Sequence, residues 1–352
     1  MAKKKMTLPK NINELLEAGD IEVLKAIYDS CELDARGGLG KRTALSLYKI
    51  PDELTRWLVE QGADIEAADN YQRTALHEQA GTWCGNIELL LALGANIEAQ
   101  DYQNATPLHK AACAYHVNHV QTLIAHGANI YAEDSMGRSA LAAALDRCRN
   151  ADINRMASIA ELLLNAGNTI TPEMRERITS IGEMFEFHRA NFSKDHIAEA
   201  DAGLSKLYRL FDVTPVATRQ MYDGVSDIIV SSPRWQKAHQ ELWDLLVPSS
   251  GHADTLQGEV IRITGRLSHE ILDNGGMNWD ADFRKMLSAL LVCFESGKAL
   301  GADKLQEAKT ITAQIKGGNG DKDELYRLTE FAVDWVRLNP RPMQVGKVEY
   351  RR

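Results

Sequence analysis

Two different short phrases return in step along the first half of this chain, and that periodicity limits its fold more than any other property. Thr43-Ala44-Leu45, Thr74-Ala75-Leu76-His77, Thr106-Pro107-Leu108-His109 and Ser139-Ala140-Leu141 follow one another at spacings of 31, 32 and 33 residues. The second phrase runs Gly62-Ala63-Asp64-Ile65, Gly94-Ala95-Asn96-Ile97 and Gly127-Ala128-Asn129-Ile130, with Gly167-Asn168-Thr169-Ile170 as an imperfect further copy. A unit of about 33 residues is one supersecondary element that cannot bury its apolar face alone, so the copies must stack.

Each part of the unit has a physical task. Thr106 is placed to cap a helix, and Pro107 occupies its first turn, where a missing N–H costs nothing. Leu108, Ala111 and Ala112 face inward, the alanines small enough to let neighbouring helices approach. A second helix carries Val117, Val120, Leu123 and Ile124 on its buried side, and Gly127 ends it in the left-handed conformation that glycine adopts freely. Asp101 to Ala105 forms a projecting hairpin with Asn104 at its tip, where a later copy has Gly137; both residues tolerate positive φ.

With this period and the Thr-Pro-Leu-His signature, the first half resembles the ankyrin-repeat family. The resemblance implies helix pairs joined by short hairpins, and a concave binding surface made from hairpin tips and the outer face of each first helix. It also implies that His77 and His109 bond the neighbouring turn and tie repeats together. The positions it makes candidates for partner binding are Arg36, Lys41, Arg42, Tyr71, Arg73, Trp83, Tyr102, Gln103, Tyr115, Met136 and Arg138. Exposed tyrosine, tryptophan and arginine dominate interface energetics. Trp83 and Tyr115 have a second reading as plugs between repeats, and Tyr115 stands where the family usually has glycine.

The copies depart from the pattern at both ends. The first, Leu39-Gly40-Lys41-Arg42-Thr43-Ala44-Leu45-Ser46, lacks the proline and the histidine. Before it, Asn11 to Ser30 reads as a helix pair burying Leu15, Leu16, Val23, Leu24 and Ile27, an N-terminal cap. In the last copy an insertion from Arg147 to Arg155 stretches the glycine spacing from 33 to 40 residues. A polar-faced helix from Thr171-Pro172 to about Arg189 is placed to close the stack.

The period stops beyond this point. The expected organisation is all-α: a flexible N-terminus at 1–9, an ankyrin-repeat solenoid with capping helices at 10–190, an α-helical bundle at 195–340, and a flexible tail at 341–352. Leu204, Leu207, Tyr208 and Phe211 share one face of a first bundle helix. Thr214-Pro215 and Ser232-Pro233 each resemble a cap and first-turn proline, starting helices through Met221 and through Trp235, Leu242 and Leu245. Further helices are expected over about 254–272, 279–295, 303–316 and 322–338, making six or seven in all. Lys316-Gly317-Gly318-Asn319-Gly320 reads as a flexible break.

Charge and cysteine usage narrow the function. Net charge is −9, and residues 1–190 hold 19 Lys and Arg against 26 Asp and Glu, a net of −7. No basic stripe is present for nucleic acid, whereas an acidic repeat half suits a protein partner with a basic surface. Five scattered cysteines without a CxxC pair argue against a disulfide framework or a zinc site and imply a reducing cytoplasm. The longest apolar run, Leu287 to Phe294, is far short of the roughly 20 residues that span a bilayer, and the first residues lack the apolar stretch of a secretory signal.

In the second half, Glu259, Arg262, Arg266, Glu270 and Asp273 fall three or four apart on a helix opposite Leu256, Val260, Ile263, Leu267 and Ile271. Asp280 and Asp282 follow at the start of the next helix. Glu259, Glu270, Asp273, Asp280 and Asp282 could line a magnesium site on facing helices; equally, charges so spaced dress a solvated helix face. Ser249-Ser250-Gly251-His252 is a loop before a helix rather than a nucleophile and base. Two functions follow. The first is a non-enzymatic protein-binding protein without a cofactor, in its sharper form an inhibitor or toxin-neutralising immunity protein that blocks a partner enzyme. The alternative is a hydrolase with a carboxylate-lined metal site and repeats that recruit its substrate.

Overall fold

The computed structural model describes residues 3–38 and 40–352; Met1, Ala2 and Leu39, the last of which opens the first repeat copy, lie outside the described residues. The chain divides into two units, the first comprising residues up to Phe185 with Ser193–Val216, the second Glu186–Phe192 with Ala217–Arg352. No described helix is long and apolar enough to cross a membrane.

The first unit begins with Lys5–Thr7 (β1) and Cys31–Arg36 (β2), which pair in parallel, and between them in sequence lie Ile12–Ala18 (α1) and Ile21–Ser30 (α2). Residues 5–7 are therefore not the flexible segment expected, and a small sheet interrupts the all-α pattern. Leu8 explains it: its side chain is buried and its N–H reaches the Arg36 carbonyl at 3.0 Å, so the strand is drawn onto β2. In the capping helix pair Ile12, Leu16, Leu24 and Tyr28 fill the core while Val23 is exposed.

Asp52–Glu60 (α3) follows, then three helix pairs: Ala75–Ala80 (α4) with Ile87–Ala92 (α5), Pro107–Cys113 (α6) with Val117–Ala125 (α7), and Ala140–Arg147 (α8) with Ile153–Asn165 (α9). First helices pack on first helices and second on second. Ala75, Ala80, Ala111, Ala112, Ala143 and Ala144 are fully buried between them, the small residues that permit this close row. The first copy, without proline and histidine, forms only the 3₁₀ turn Ala44–Ser46. Second helices end alike: Gly62, Gly94, Gly127 and Gly167 have φ of 97°, 92°, 82° and 107°, and the next N–H returns to the helix at 2.9–3.0 Å (Ala63 to Leu58, Ala95 to Leu90, Ala128 to Leu123, Asn168 to Leu163).

Beyond the last pair lie Pro172–His188 (α10), started by Thr171 Oγ1 accepting from the Met174 N–H at 3.3 Å, and Ile197–Phe211 (α11). The stack is thus closed by a further helix than the sequence predicts, and the boundary falls later than residues 190–195. The insertion is the reason. It forms a 3₁₀ turn, Asn150–Asp152, and an early start to α9, and α11 docks there: a Cβ on Gly203 would lie 2.7 Å from the Asn154 Cα. Leu204, Leu207, Tyr208 and Phe211 are buried as predicted, but in the first unit.

Among its described residues the second unit has five helices of its own rather than six or seven: Trp235–Leu246 (α12), Leu256–Ser268 (α13), Ala281–Glu295 (α14), Ala302–Ile315 (α15) and Lys322–Leu338 (α16). α13 packs against α12, α14 and α16, and every residue from Gln257 to Thr264 is buried. Thr214-Pro215 starts no helix; the following stretch is held extended by Arg219, which donates to the Phe187 carbonyl at 3.0 Å and to carbonyls at the end of α12, including Trp243 at 3.1 Å. One of those carbonyls, that of Asp244, has no i+4 N–H to accept because that position is Pro248, and the Arg219 Nε–H supplies a donor at 2.6 Å.

The C-terminal segment, expected to be a flexible tail, is a fixed arm. The Gln257 side chain donates to the Asn339 and Arg341 carbonyls at 2.8 and 2.7 Å and accepts from the Met343 N–H at 3.1 Å. The Leu256 N–H donates to the Met343 carbonyl at 2.8 Å, the Tyr350 hydroxyl to Glu259 at 2.6 Å, and Arg352 to Asp280 at 2.9 Å. Buried polar groups of α13 require partners, and the arm provides them.

Gly203→Ala is expected to destabilise the first unit by about 1–3 kcal/mol, the cost of forcing an extra carbon into a packed contact. Chemical denaturation monitored in both units checks this; an unchanged midpoint would show that α11 does not rest on α9 as described.

Candidate protein-interaction face

Three of the four hairpins are built around one aspartate whose carboxylate is shielded from solvent. Asp69 Oδ1 accepts the N–H groups of Tyr71 and Arg73 at 2.7 and 3.0 Å, Asp101 those of Gln103 and Ala105 at 2.9 and 3.0 Å, and Asp134 those of Met136 and Arg138 at 2.9 and 3.0 Å. The other oxygen takes a cation: Arg73 at 2.7 Å, Lys110 at 2.6 Å and Arg138 at 2.7 Å respectively. Burial pushes these carboxyls up, but the cations and N–H donors outweigh it and hold all three below the usual range. The sequence carries this clamp as aspartates spaced 32 and 33 residues apart, a third recurrence in step with the other two.

Tips turn at Lys41, Gln72, Asn104 and Gly137, with φ between 56° and 71°. Adjacent hairpins then bond through their backbones: Asn70 N–H to Gly40 O at 2.9 Å, Tyr102 to Tyr71 at 3.1 Å, and Ser135 to Gln103 at 2.7 Å. This zipper presents Tyr71, Tyr102 and Met136 outward at 49%, 56% and 70% exposure, with Gln103 exposed beside them. The two tyrosine rings lie 5.8 Å apart and the Arg73 guanidinium sits 4.8 Å over Tyr71.

The predicted arginines are largely committed within the protein. Arg36 donates to the Lys41 carbonyl at 3.1 Å and to the Ala68 carbonyl. Arg42 and Arg73 share Glu78, each at 2.8 Å, and Arg138 bridges Asp134 and Asp146, the latter at 2.9 Å. They brace the hairpins, whereas Tyr71, Tyr102 and Met136 remain exposed.

Trp83 and Tyr115 occupy matching positions with opposite fates. Tyr115 is not available to a partner: it is buried, and its hydroxyl donates at 3.0 Å to the Ala144 carbonyl in the last turn of α8, where the helix leaves carbonyls unsatisfied. Its φ of 57° explains why glycine suits this place. Trp83 is 74% exposed, because the path from Thr74 to the next cap, Asn86, is two residues longer than that from Thr106 to His116. It rests edge-on against His116 at 5.6 Å. Two exposed tyrosines went unpredicted: Tyr48, and Tyr131, whose hydroxyl donates to the Gly167 carbonyl at 3.0 Å.

His77 and His109 are buried staples. The N–H groups of Thr74 and Thr106 donate to Nδ1 at 3.2 Å, so Nδ1 is unprotonated and Nε2–H donates onward to the Ala105 and Arg138 carbonyls of the next hairpin, each at 3.0 Å. Burial lowers both pKa values below the ordinary 6.5, against the raising effect of the accepting carbonyls.

The five carboxylates of the second unit do not assemble. Glu259 is buried with Arg262 at 2.6 Å and Tyr350 at 2.6 Å, and although burial pushes it up, Arg262 holds it down to about 2. Glu270 accepts the Asn278 N–H at 2.6 Å, Asp273 faces His269 at 2.8 Å, Asp280 caps α14, and Asp282 accepts the Arg351 N–H at 3.2 Å. No cluster of His, Cys, Asp and Glu suited to a metal ion occurs among the described residues.

A family model described as ankyrin repeats (3 copies) matches residues 84–173, so the N-terminal half carries ankyrin repeats, a protein-interaction module. No curated protein matches the chain.

Because folding excludes the proton from Nδ1, the histidine contribution is fully present above pH 6.5 and is lost as pH falls below it. His77→Gln keeps the capping box but removes the titration, so the fall in stability between pH 7 and pH 5 should be shallower than in wild type; equal slopes would refute the staple. Tyr350→Phe leaves a buried carboxylate short of a donor and should cost about 1–3 kcal/mol, read by denaturation of the second unit.

Proposed function

We propose that this protein binds a protein partner through the hairpin-tip face of its repeats, with Tyr71, Tyr102 and Met136 as anchors and Gln103 as a polar contact. The observation that supports this most directly is the exposure of these groups on backbones that aspartate clamps and the inter-hairpin zipper have already fixed. Large side chains on a rigid frame lose little entropy on binding, which is how a few residues come to dominate an interface. Arg36, Arg42, Arg73 and Arg138 act mainly as braces in this reading, and Trp83 extends the surface on the loop between α4 and α5.

The partner has a basic surface. The repeat half has a net charge of −7, and with its hairpin arginines paired internally it offers little positive charge to an incoming protein. Blocking an enzyme, as an inhibitor or immunity protein does, fits a stack whose contact residues are rigid and carry no reaction chemistry. The rival hydrolase loses its support with the dispersal of the second unit's carboxylates among separate structural partners.

Affinity capture from the native cell should recover one partner stoichiometrically with wild type and with Met277→Ala, an exposed control in the second unit. The Tyr71→Ala/Tyr102→Ala variant should recover at least about tenfold less, the loss of one hot-spot contact or more. Recovery should also fall with added salt. Equal capture by the double variant would overturn the assignment of this face, and a captured enzyme that stays fully active when bound would overturn the inhibitor role.

A further inference from the structure

A cavity of about 460 Å³ lies in the second unit between α14 and the C-terminal arm, a volume in the range of small-molecule sites. Its floor is apolar, formed by Leu256, Ala289, Val292 and Cys293, and one wall is the arm from Val345 to Tyr350. The arm cannot simply collapse onto that floor. It is pinned before the cavity by Leu256 N–H on the Met343 carbonyl at 2.8 Å and after it by the Tyr350 hydroxyl on buried Glu259 at 2.6 Å. Val292 is left 66% exposed in consequence, a β-branched apolar side chain facing an opening that the protein's own chain does not fill.

The polar groups around this floor are unlike the rest of the molecule. In a chain of net charge −9, the cavity is lined by four cations, Arg284, Lys285, Lys316 and Lys347, against two carboxylates, Glu259 and Glu349. Glu259 is already satisfied by Arg262 at 2.6 Å. Lys285 lies 3.6 Å from Asp282 and donates to the Glu349 carbonyl at 3.1 Å. Arg284, Lys316 and Lys347 have no ion pair among the described residues. An apolar slot with an excess of unpaired cations at its rim suits a ligand with an apolar body and one negative end.

We propose that this cavity binds a single-chain anionic amphiphile, a medium-chain fatty acid, with its hydrocarbon against Ala289, Val292, Val345 and Val348 and its carboxylate among Arg284, Lys316 and Lys347. The site is independent of the repeat face, and the arm that walls it links ligand binding to the buried Glu259–Arg262 pair through Tyr350.

The test is calorimetric titration of the full chain with sodium decanoate below its micelle-forming concentration, beside chain-matched 1-decanol. Decanoate should bind saturably, one per chain. Arg284→Gln/Lys316→Gln/Lys347→Gln, confined to exposed side chains, should weaken decanoate by about tenfold or more and leave decanol unchanged, separating charge capture from apolar fit. Val292→Asp, at a position exposed enough not to threaten folding, should weaken both, and Ala289→Phe, which fills the floor, should abolish both. Absence of saturable decanoate binding overturns the proposal, as does decanoate binding undiminished by the triple variant or by Val292→Asp. Saturable binding of a short peptide ending in Val-Val-Glu in place of decanoate overturns it in favour of a peptide occupant.

Discussion

The repeat half depends on polar groups that one repeat cannot satisfy and the next one can. His77 and His109 reach the following hairpin's carbonyls, hairpin tips exchange backbone bonds, and a third series runs between the loops after the second helices. There Asp34, Glu66 and Glu98 accept the N–H groups of Asp64, Asn96 and Asn129 at 3.0, 2.7 and 2.6 Å. For the buried histidines an unpaired donor costs about 1–3 kcal/mol, so a repeat taken from the stack loses more than its apolar contacts; the acid series is exposed and serves mainly to orient the loops. Alanine packing brings the helices close; these three series fix their register.

The same rule explains the ends. Where the acidic series runs out, Tyr131 replaces the acid and donates to the Gly167 carbonyl, while Asn168 donates to the Ile130 carbonyl at 2.9 Å. In the first copy, which has Ser46 in place of the histidine, the Gln79 amide reaches back to the Leu45 and Leu47 carbonyls at 3.2 and 3.1 Å. In the second unit a single buried pair, Glu259 with Arg262, has the corresponding part. Its remaining hydrogen-bonding capacity recruits the Ala253 N–H, His252 and Tyr350, and with Tyr350 the whole arm. The attraction within a buried ion pair is offset by the cost of removing both charges from water, so the pair's hydrogen-bond partners matter as much as the pair itself.

Much of the fold was legible because it rests on local rules repeated in step. Caps at Thr74 and Thr106 and glycines at helix ends follow from residue chemistry at fixed offsets, and the role of the two histidines was implied by the resemblance to ankyrin repeats. α16 forms over the range expected from the sequence, and the structure shows Asp321 and Glu324 as a capping box ahead of its apolar stripe. The misreadings share the opposite character. Thr214-Pro215 has the local form of a helix start, yet Arg219 holds that stretch extended by contacts more than 20 residues away. The carboxylate stripe read as a row because Glu259 and Glu270 stand at helical spacing, but Glu270 lies in the π turn His269–Asp273 that follows α13, and each turns to a different partner.

For the candidate face, sequence alone determined which residues stand at hairpin tips, because tip position follows from the repeat register. It could not separate Trp83 from Tyr115, whose registers match; a two-residue difference in the connecting path exposes one and buries the other. Nor could it show that Arg73 and Arg138 are occupied by Asp69 and Asp134, since long side chains are free to point outward until a neighbouring carboxylate is placed beside them. The repeat architecture was set by short-range patterning, which the sequence displays directly. The closing helix, the arm and the choice of free side chains were decided by contacts between distant segments, whose energies exist only once the chain has folded.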